Sequence, residues 1–203
     1  MTARDRRPCD DAGFTLIETV VGMVVMSVFL ALFTGSVVSM FGSSNHSQAV
    51  AHSAQEISNA FTKLDRQVRY ASYVGEPGQD PNDGGNWYVE FQNTNTNPAT
   101  CYQLRVDQGS ETLQQRSWSG SGTPSGWQQL ATGVLNGGGS GVDAPFVVTA
   151  ATGTVTSAEL TVHLVTGEGT GSNAAQSQSS MTFTALNSTV TTPIRGICAG
   201  MRP

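Results

Sequence analysis

Glu18 stands at the head of a stretch, Thr19 to Gln55, that holds no Asp, Glu, Lys or Arg. An ionised carboxylate at the edge of hydrocarbon is costly, though less so than the roughly 2.5–3.5 kcal/mol of a helix centre, and such residues usually have a partner. Charge pairing is therefore the chemistry this position offers. The other reactive side chains are dispersed. His46 and His52 lie six apart, which misses the four-residue helical spacing of paired metal ligands, and His163 is remote from both. The sequence has no Gly-x-Ser-x-Gly, no P-loop and no glycine phosphate fingerprint. These residues predict no catalytic site, no metal and no cofactor, and hence a protein that is not an enzyme.

Trp87, Trp118 and Trp127, with Tyr102, have two readings. Large aromatics supply much of a small β core, so core or strand-pair positions are favoured over an exposed patch for a surface, a sugar or DNA. A formal charge of −5 and a pI near 5.0 give no basis for a nucleic-acid partner, because neutralising phosphates requires clustered Lys and Arg. Lys63 is the sole lysine. Asn187-Ser188-Thr189 fits a glycosylation sequon, which matters only in an organism that modifies such sites.

The elements that position these residues follow from hydropathy and composition. A chain of 203 residues holds one soluble domain plus an appendage. Charged residues make up 12%, about half the usual share, and Gly, Ser, Thr, Asn and Gln are abundant, which suits a β-rich extracellular protein. Val20 to Phe41 is dominated by Val, Met, Leu, Phe and Ala and meets the roughly 20 apolar residues a membrane-spanning helix needs. Residues 1–13 are short and polar, with Arg4, Arg6 and Arg7 favouring a cytoplasmic leader, although Asp5, Asp10 and Asp11 cancel its charge. A secretory signal peptide is a poorer fit. Its apolar core spans roughly 7–15 residues before a small-residue site, whereas this core is longer and residues 31–36 offer only a poor site.

Gly13-Phe14-Thr15-Leu16-Ile17-Glu18, between a short polar leader and a long apolar helix, resembles the processing signal of type IV prepilins and pseudopilins at all six positions. The resemblance implies that a prepilin peptidase cuts between Gly13 and Phe14 and that Phe14 becomes an N-methylated first residue. It also implies that Glu18 meets the Phe14 ammonium of a neighbouring subunit. Cys9 would leave with the leader, and Cys101 and Cys198 would reach a compartment that permits disulfides. Many pilins close their C-terminal region with such a bond, so Cys101–Cys198 is the expected pair.

Beyond the apolar run, Ile57, Ala60, Phe61, Leu64, Val68 and Ala71 recur at three- and four-residue steps, the mark of an amphipathic helix. Gly75, Pro77, Gly78, Pro81 and the run Asn82-Asp83-Gly84-Gly85 predict a helix end near Val74. Short β-like runs follow at Trp87–Phe91, Cys101–Val106, Glu111–Trp118, Trp127–Leu130, Pro145–Ala150, Ser157–Val165 and Ser180–Leu186. In the sixth, Leu160, Val162 and Leu164 alternate with Thr161, His163 and Val165. Ser119-Gly120-Ser121-Gly122 and Gly137-Gly138-Gly139-Ser140-Gly141 read as mobile loops.

The expected fold is α+β and pilin-like: a long N-terminal helix, transmembrane in its first half and amphipathic in its second, packed on an antiparallel β-rich head. Its expected parts are a cleaved leader at 1–13, a transmembrane or filament-core helix at 14–42, its amphipathic continuation at 43–74 and the head at 75–203. Leu64 to Ala71, Cys101 to Val106 and Leu113 to Arg116 look like J-type or W-type minor pilins.

The resemblance thus implies a structural, minor subunit of a type IV pilus or competence-type pseudopilus. Such a subunit is anchored in the cell membrane with a cytoplasmic leader and an extracytoplasmic head, and ends in an extracellular filament. Its partners would be prepilin peptidase, other pilins or pseudopilins, a membrane assembly platform and lipid. A pseudopilin of a type II secretion system and a plain membrane-anchored binding module are the alternatives.

Overall fold

A computed structural model describes Gly13 and residues 15–151, 156–167, 176–188 and 198, except for the side chains at 45, 46, 49, 50 and 142. The chain divides into two units, 1–47 and 48–203. Helix α1, Leu16–Arg69, contributes to both. It starts at Thr15, whose hydroxyl accepts the Glu18 N–H at 3.4 Å. Thr15-Leu16-Ile17-Glu18 has the spacing of a capping box, and Glu18 lies in the first turn, where negative charge complements the helix dipole.

In the first unit, Leu16–Ser44 has a mean hydropathy of 2.4 and none of its most apolar window is buried. Its 29 residues extend about 43 Å at 1.5 Å per residue, more than the roughly 30 Å of a bilayer's hydrocarbon core. Val24, Phe29, Leu32 and Phe33 are among the large side chains left exposed. The hydroxyls of Ser27 and Ser36 donate to the carbonyls of Met23 and Leu32 at 2.7 and 3.0 Å. Their polar groups are thereby satisfied within the helix, as hydrocarbon requires.

The second unit is built on the amphipathic part of α1. Ile57, Ala60, Phe61, Leu64 and Val68 are buried in one core with residues of two antiparallel sheets. The first sheet contains β1 (Ala71–Val74), β2 (Gly78–Asp80), β3 (Asn86–Asn93), β4 (Thr100–Asp107), β5 (Thr112–Ser119) and β6 (Gln128–Ala131). Its order is β1-β3-β4-β5-β6, with β2 also paired to β3. The second sheet, in order, is β7 (Phe146–Thr149), β8 (Ala158–Gly167) and β9 (Gln176–Ala185). The α+β, pilin-like architecture is that expected from the sequence, and all seven expected β runs correspond to strands. Leu160, Val162 and Leu164 are buried in β8, as their alternation implies.

Two expectations need correction. The helix ends at Arg69, and Ala71–Val74, placed in the helix by periodicity, form β1. Ala71 is in phase with Leu64 and Val68, but Tyr73 and Val74 suit a pleated strand, and β3 pairs Ala71 with Asn93 and Val74 with Phe91. Tertiary pairing therefore outweighs the helical step. The Gly137–Gly141 loop is also no loose linker. It lies between and within two 3-10 turns, Asn136–Gly138 and Gly141–Asp143. A Cβ on Gly139 would stand 2.2 Å from the Asp143 carbonyl oxygen, so glycine is needed for this close backbone approach.

The buried Asn136 holds that turn to the second sheet. Its Nδ2 donates to His163 O at 2.8 Å and its Oδ1 accepts Val165 N–H at 3.1 Å. Main-chain bonds from Val134 N–H to Glu111 O, just before β5, and from Leu135 N–H to Val165 O of β8, both 2.8 Å, tie the segment at 134–135 to both sheets. The two sheets are therefore joined by backbone as well as by their shared core.

Candidate functional site

The amino-terminal segment holds the residues singled out for processing. Gly13 is exposed, and a Cβ built on it would meet nothing within 4 Å. Phe14 lies outside the described residues. Glu18 is exposed in the first turn of α1, with Val20, Val21, Val24 and Val25 exposed on the following turns. This arrangement combines an accessible small residue, a carboxylate at a helix start and an uncovered apolar helix. It can present a peptide bond to a peptidase and then offer one negative charge to a cation inside an apolar contact.

In the second unit, Cys101 and Cys198 form a disulfide with Cα atoms 5.8 Å apart. Trp118, opposite Cys101 in the β4–β5 ladder, packs with both cysteines. The face of the first sheet turned away from α1 also carries a polar network that the sequence reading missed. Tyr88 lies opposite Arg105, Glu90 opposite Gln103, and Gln103 opposite Arg116. Gln103 donates to Glu90 at 2.7 Å and accepts from Arg116 at 2.6 Å. Arg105 reaches Gln114 at 2.6 Å and Asp107 at 3.1 Å. Both guanidiniums lie over the Trp127 ring, 4.3 and 4.4 Å from its centre.

These contacts assign the aromatics individually. Trp118 belongs to the disulfide cluster, whereas Trp87 packs on the core and donates its indole N–H to Gly139 O at 2.9 Å. Tyr102 stacks on Phe91, with ring centres 5.2 Å apart. Trp127 covers the two arginines. The alternation of polar residues along β3, β4 and β5 was the available signal for a common face, but it required the strand register.

Tyr88 donates to the Asp83 carboxylate. Burial, followed by this bond, pushes the phenol up to about 12. The same bond is the main reason that Asp83 is held below the usual carboxylate range. Burial lowers Arg116. Among the described residues no group of three or more His, Cys, Asp or Glu side chains is arranged to hold a metal.

Residues 9–34 match the family model described as the prokaryotic N-terminal methylation motif. No curated protein and no solved structure matches the chain. The matched residues include Gly13, Phe14, Glu18 and the first turns of the apolar helix. The chain thus carries a type IV prepilin-like signal on a pilin-like α+β fold, which points to a structural protein with peptidase processing, pilin-type assembly partners and a membrane anchor.

Proposed function

We propose that this chain is the precursor of a minor subunit of a type IV pilus or competence-type pseudopilus. Prepilin peptidase cuts between Gly13 and Phe14, Phe14 is N-methylated, and Leu16–Ser44 first anchors the subunit in lipid and then packs among other pilins on a membrane assembly platform. The leader stays cytoplasmic and the head is extracytoplasmic, ending in the extracellular filament. The methylation motif at residues 9–34 carries this reading. The exposed apolar helix supports the anchor and assembly roles.

Cleavage creates an ammonium on Phe14 next to a segment without other charges. At an effective dielectric of about 20, opposite charges 4 Å apart attract by about 4 kcal/mol. A buried charge left without its partner is strongly destabilising. Glu18 of one subunit and the Phe14 amine of its neighbour therefore set axial register in this reading.

The N-terminal mass of the protein from its own cells tests the processing step. N-methyl-Phe14 is expected; a terminus at Met1 or beyond Ser44 would overturn it. Glu18→Ala should be cleaved normally but enter sheared filaments at least tenfold less efficiently. Undiminished incorporation would refute the charge pair.

A further inference from the structure

Asn136 and Gly137, in the connection between β6 and β7, are each held in place by a separate demand. Asn136 is buried, and its side-chain amide makes three bonds to main chain: Nδ2 donates to His163 O at 2.8 Å and to Asp143 O at 3.3 Å, while Oδ1 accepts Val165 N–H at 3.1 Å. A short amide supplies both the donors and the acceptor. Gly137 is buried beside it. A Cβ there would stand 2.7 Å from Gln108 Cγ and 3.2 Å from Val106 Cγ1, so any larger residue overpacks the turn.

The two demands together create the sole Asn-Gly pair in the sequence, and this pair is chemically labile. The main-chain nitrogen of Gly137 can attack Cγ of Asn136. A new C–N bond closes a cyclic imide, the Cγ–Nδ2 bond breaks, and the amide proton of Gly137 leaves with Nδ2 as ammonia. Water then opens the imide at either carbonyl, giving aspartate or, where the chain is rerouted through the side chain, isoaspartate. A water is consumed and an ammonia released, with no oxidant, reductant or enzyme. Glycine favours the closure because it has no Cβ to hinder the attack and its backbone turns freely.

The folded head opposes every step. Closure requires the Asn136 side chain to swing back over its own peptide group, and its bonds to His163, Val165 and Asp143 hold it away. Burial of both residues keeps water and base from the reacting atoms. Nor can the product take the place of the amide. An ionised aspartate only accepts hydrogen bonds. It could keep the Val165 N–H, but it would set a carboxylate oxygen against the His163 and Asp143 carbonyls in place of the N–H they now receive. A buried charge facing acceptors is strongly disfavoured. Isoaspartate adds an atom to the main chain of a turn in which Gly139 already lies close to Asp143 O.

We infer that Asn136-Gly137 is a modification site that the native fold keeps silent and that unfolding activates, so that time spent unfolded becomes a permanent loss of the native head. The residue that fastens this turn to the second sheet is thus a one-way latch. Its action does not depend on cleavage at Gly13.

The test uses the full chain in detergent micelles, with Cys9→Ser and the native disulfide retained, held at mildly alkaline pH with and without guanidinium chloride. Peptide mass spectrometry follows the gain of about one mass unit that deamidation brings. Residue 136 should convert at least tenfold faster in denaturant than in the folded chain, whereas Asn95, exposed in the β3–β4 connection, should change far less. After removal of denaturant, the protease-resistant fraction should retain Asn136 and the protease-sensitive fraction should carry the converted residue. Asn136→Asp should lower the folded-to-unfolded ratio in urea at least tenfold relative to Asn95→Asp, which adds the same charge at an exposed site. Equal conversion of residue 136 with and without denaturant, converted chains recovered in the resistant fraction, or equal stability of the two aspartate variants would each overturn the latch.

Discussion

Burial and the Asp83 carboxylate hold the Tyr88 phenol at about 12, against about 10 in an unfolded chain. A raised acid binds its proton more tightly when folded. Its contribution to stability is therefore complete below pH 10 and lost as pH rises through 12. Tyr88→Phe should be less stable at pH 8 by about 1 kcal/mol, the net worth of one hydrogen bond. It should also show a smaller loss between pH 10 and 12 than the parent in urea unfolding. An unchanged alkaline slope would remove Tyr88 as its source. Asp83 acts with the opposite sign, because its folded value is depressed. Its contribution is present above about pH 3.9 and lost as pH falls through the folded value.

At the scale of elements, the turn Asn136–Gly138 and the helix α1 differ in how they can be read and in how they fail. Gly139→Ala would place a methyl group 2.2 Å from the Asp143 carbonyl oxygen. The turn must then open, and a loss of about 1–3 kcal/mol is expected from thermal or urea unfolding, as for other overpacked sites. Leu64→Ala removes a fully buried side chain and should cost about 2–5 kcal/mol. The Leu64 role was legible because a helical stripe is a local pattern of apolar residues. The Gly137–Gly141 turn was not, because the same composition serves a flexible linker and a turn packed against Gln108 and Val106. The boundary at Val74 failed for a related reason: Ala71 fits both periods, and only β3, more than a dozen residues later, decides between them. The candidate site shows the same contrast. Gly13, Phe14 and Glu18 are contiguous in sequence, whereas the Arg105–Trp127–Arg116 stack depends on three segments brought together by the sheet.

For the whole molecule, the Cys101–Cys198 bond spans a sequence separation of 97 residues. Restricting an unfolded loop of that size contributes on the order of 4–5 kcal/mol, so reduction should lower the urea midpoint markedly while Cys9→Ser should not. The same bond governs how the subunit carries mechanical load. Force applied between the helix and the C-terminus enters through β1 to β3, reaches Cys101, and crosses the sulfurs directly to Cys198. Residues 102–197, including β5 to β9, lie in a covalent bypass and bear no tension along the backbone, even if their packing is lost. In single-molecule pulling, the oxidised chain should therefore release roughly 32–35 nm less contour length than the reduced chain, at 3.3–3.6 Å per residue over the 97-residue separation. The strands of the second sheet are thereby insulated from tension on the chain ends.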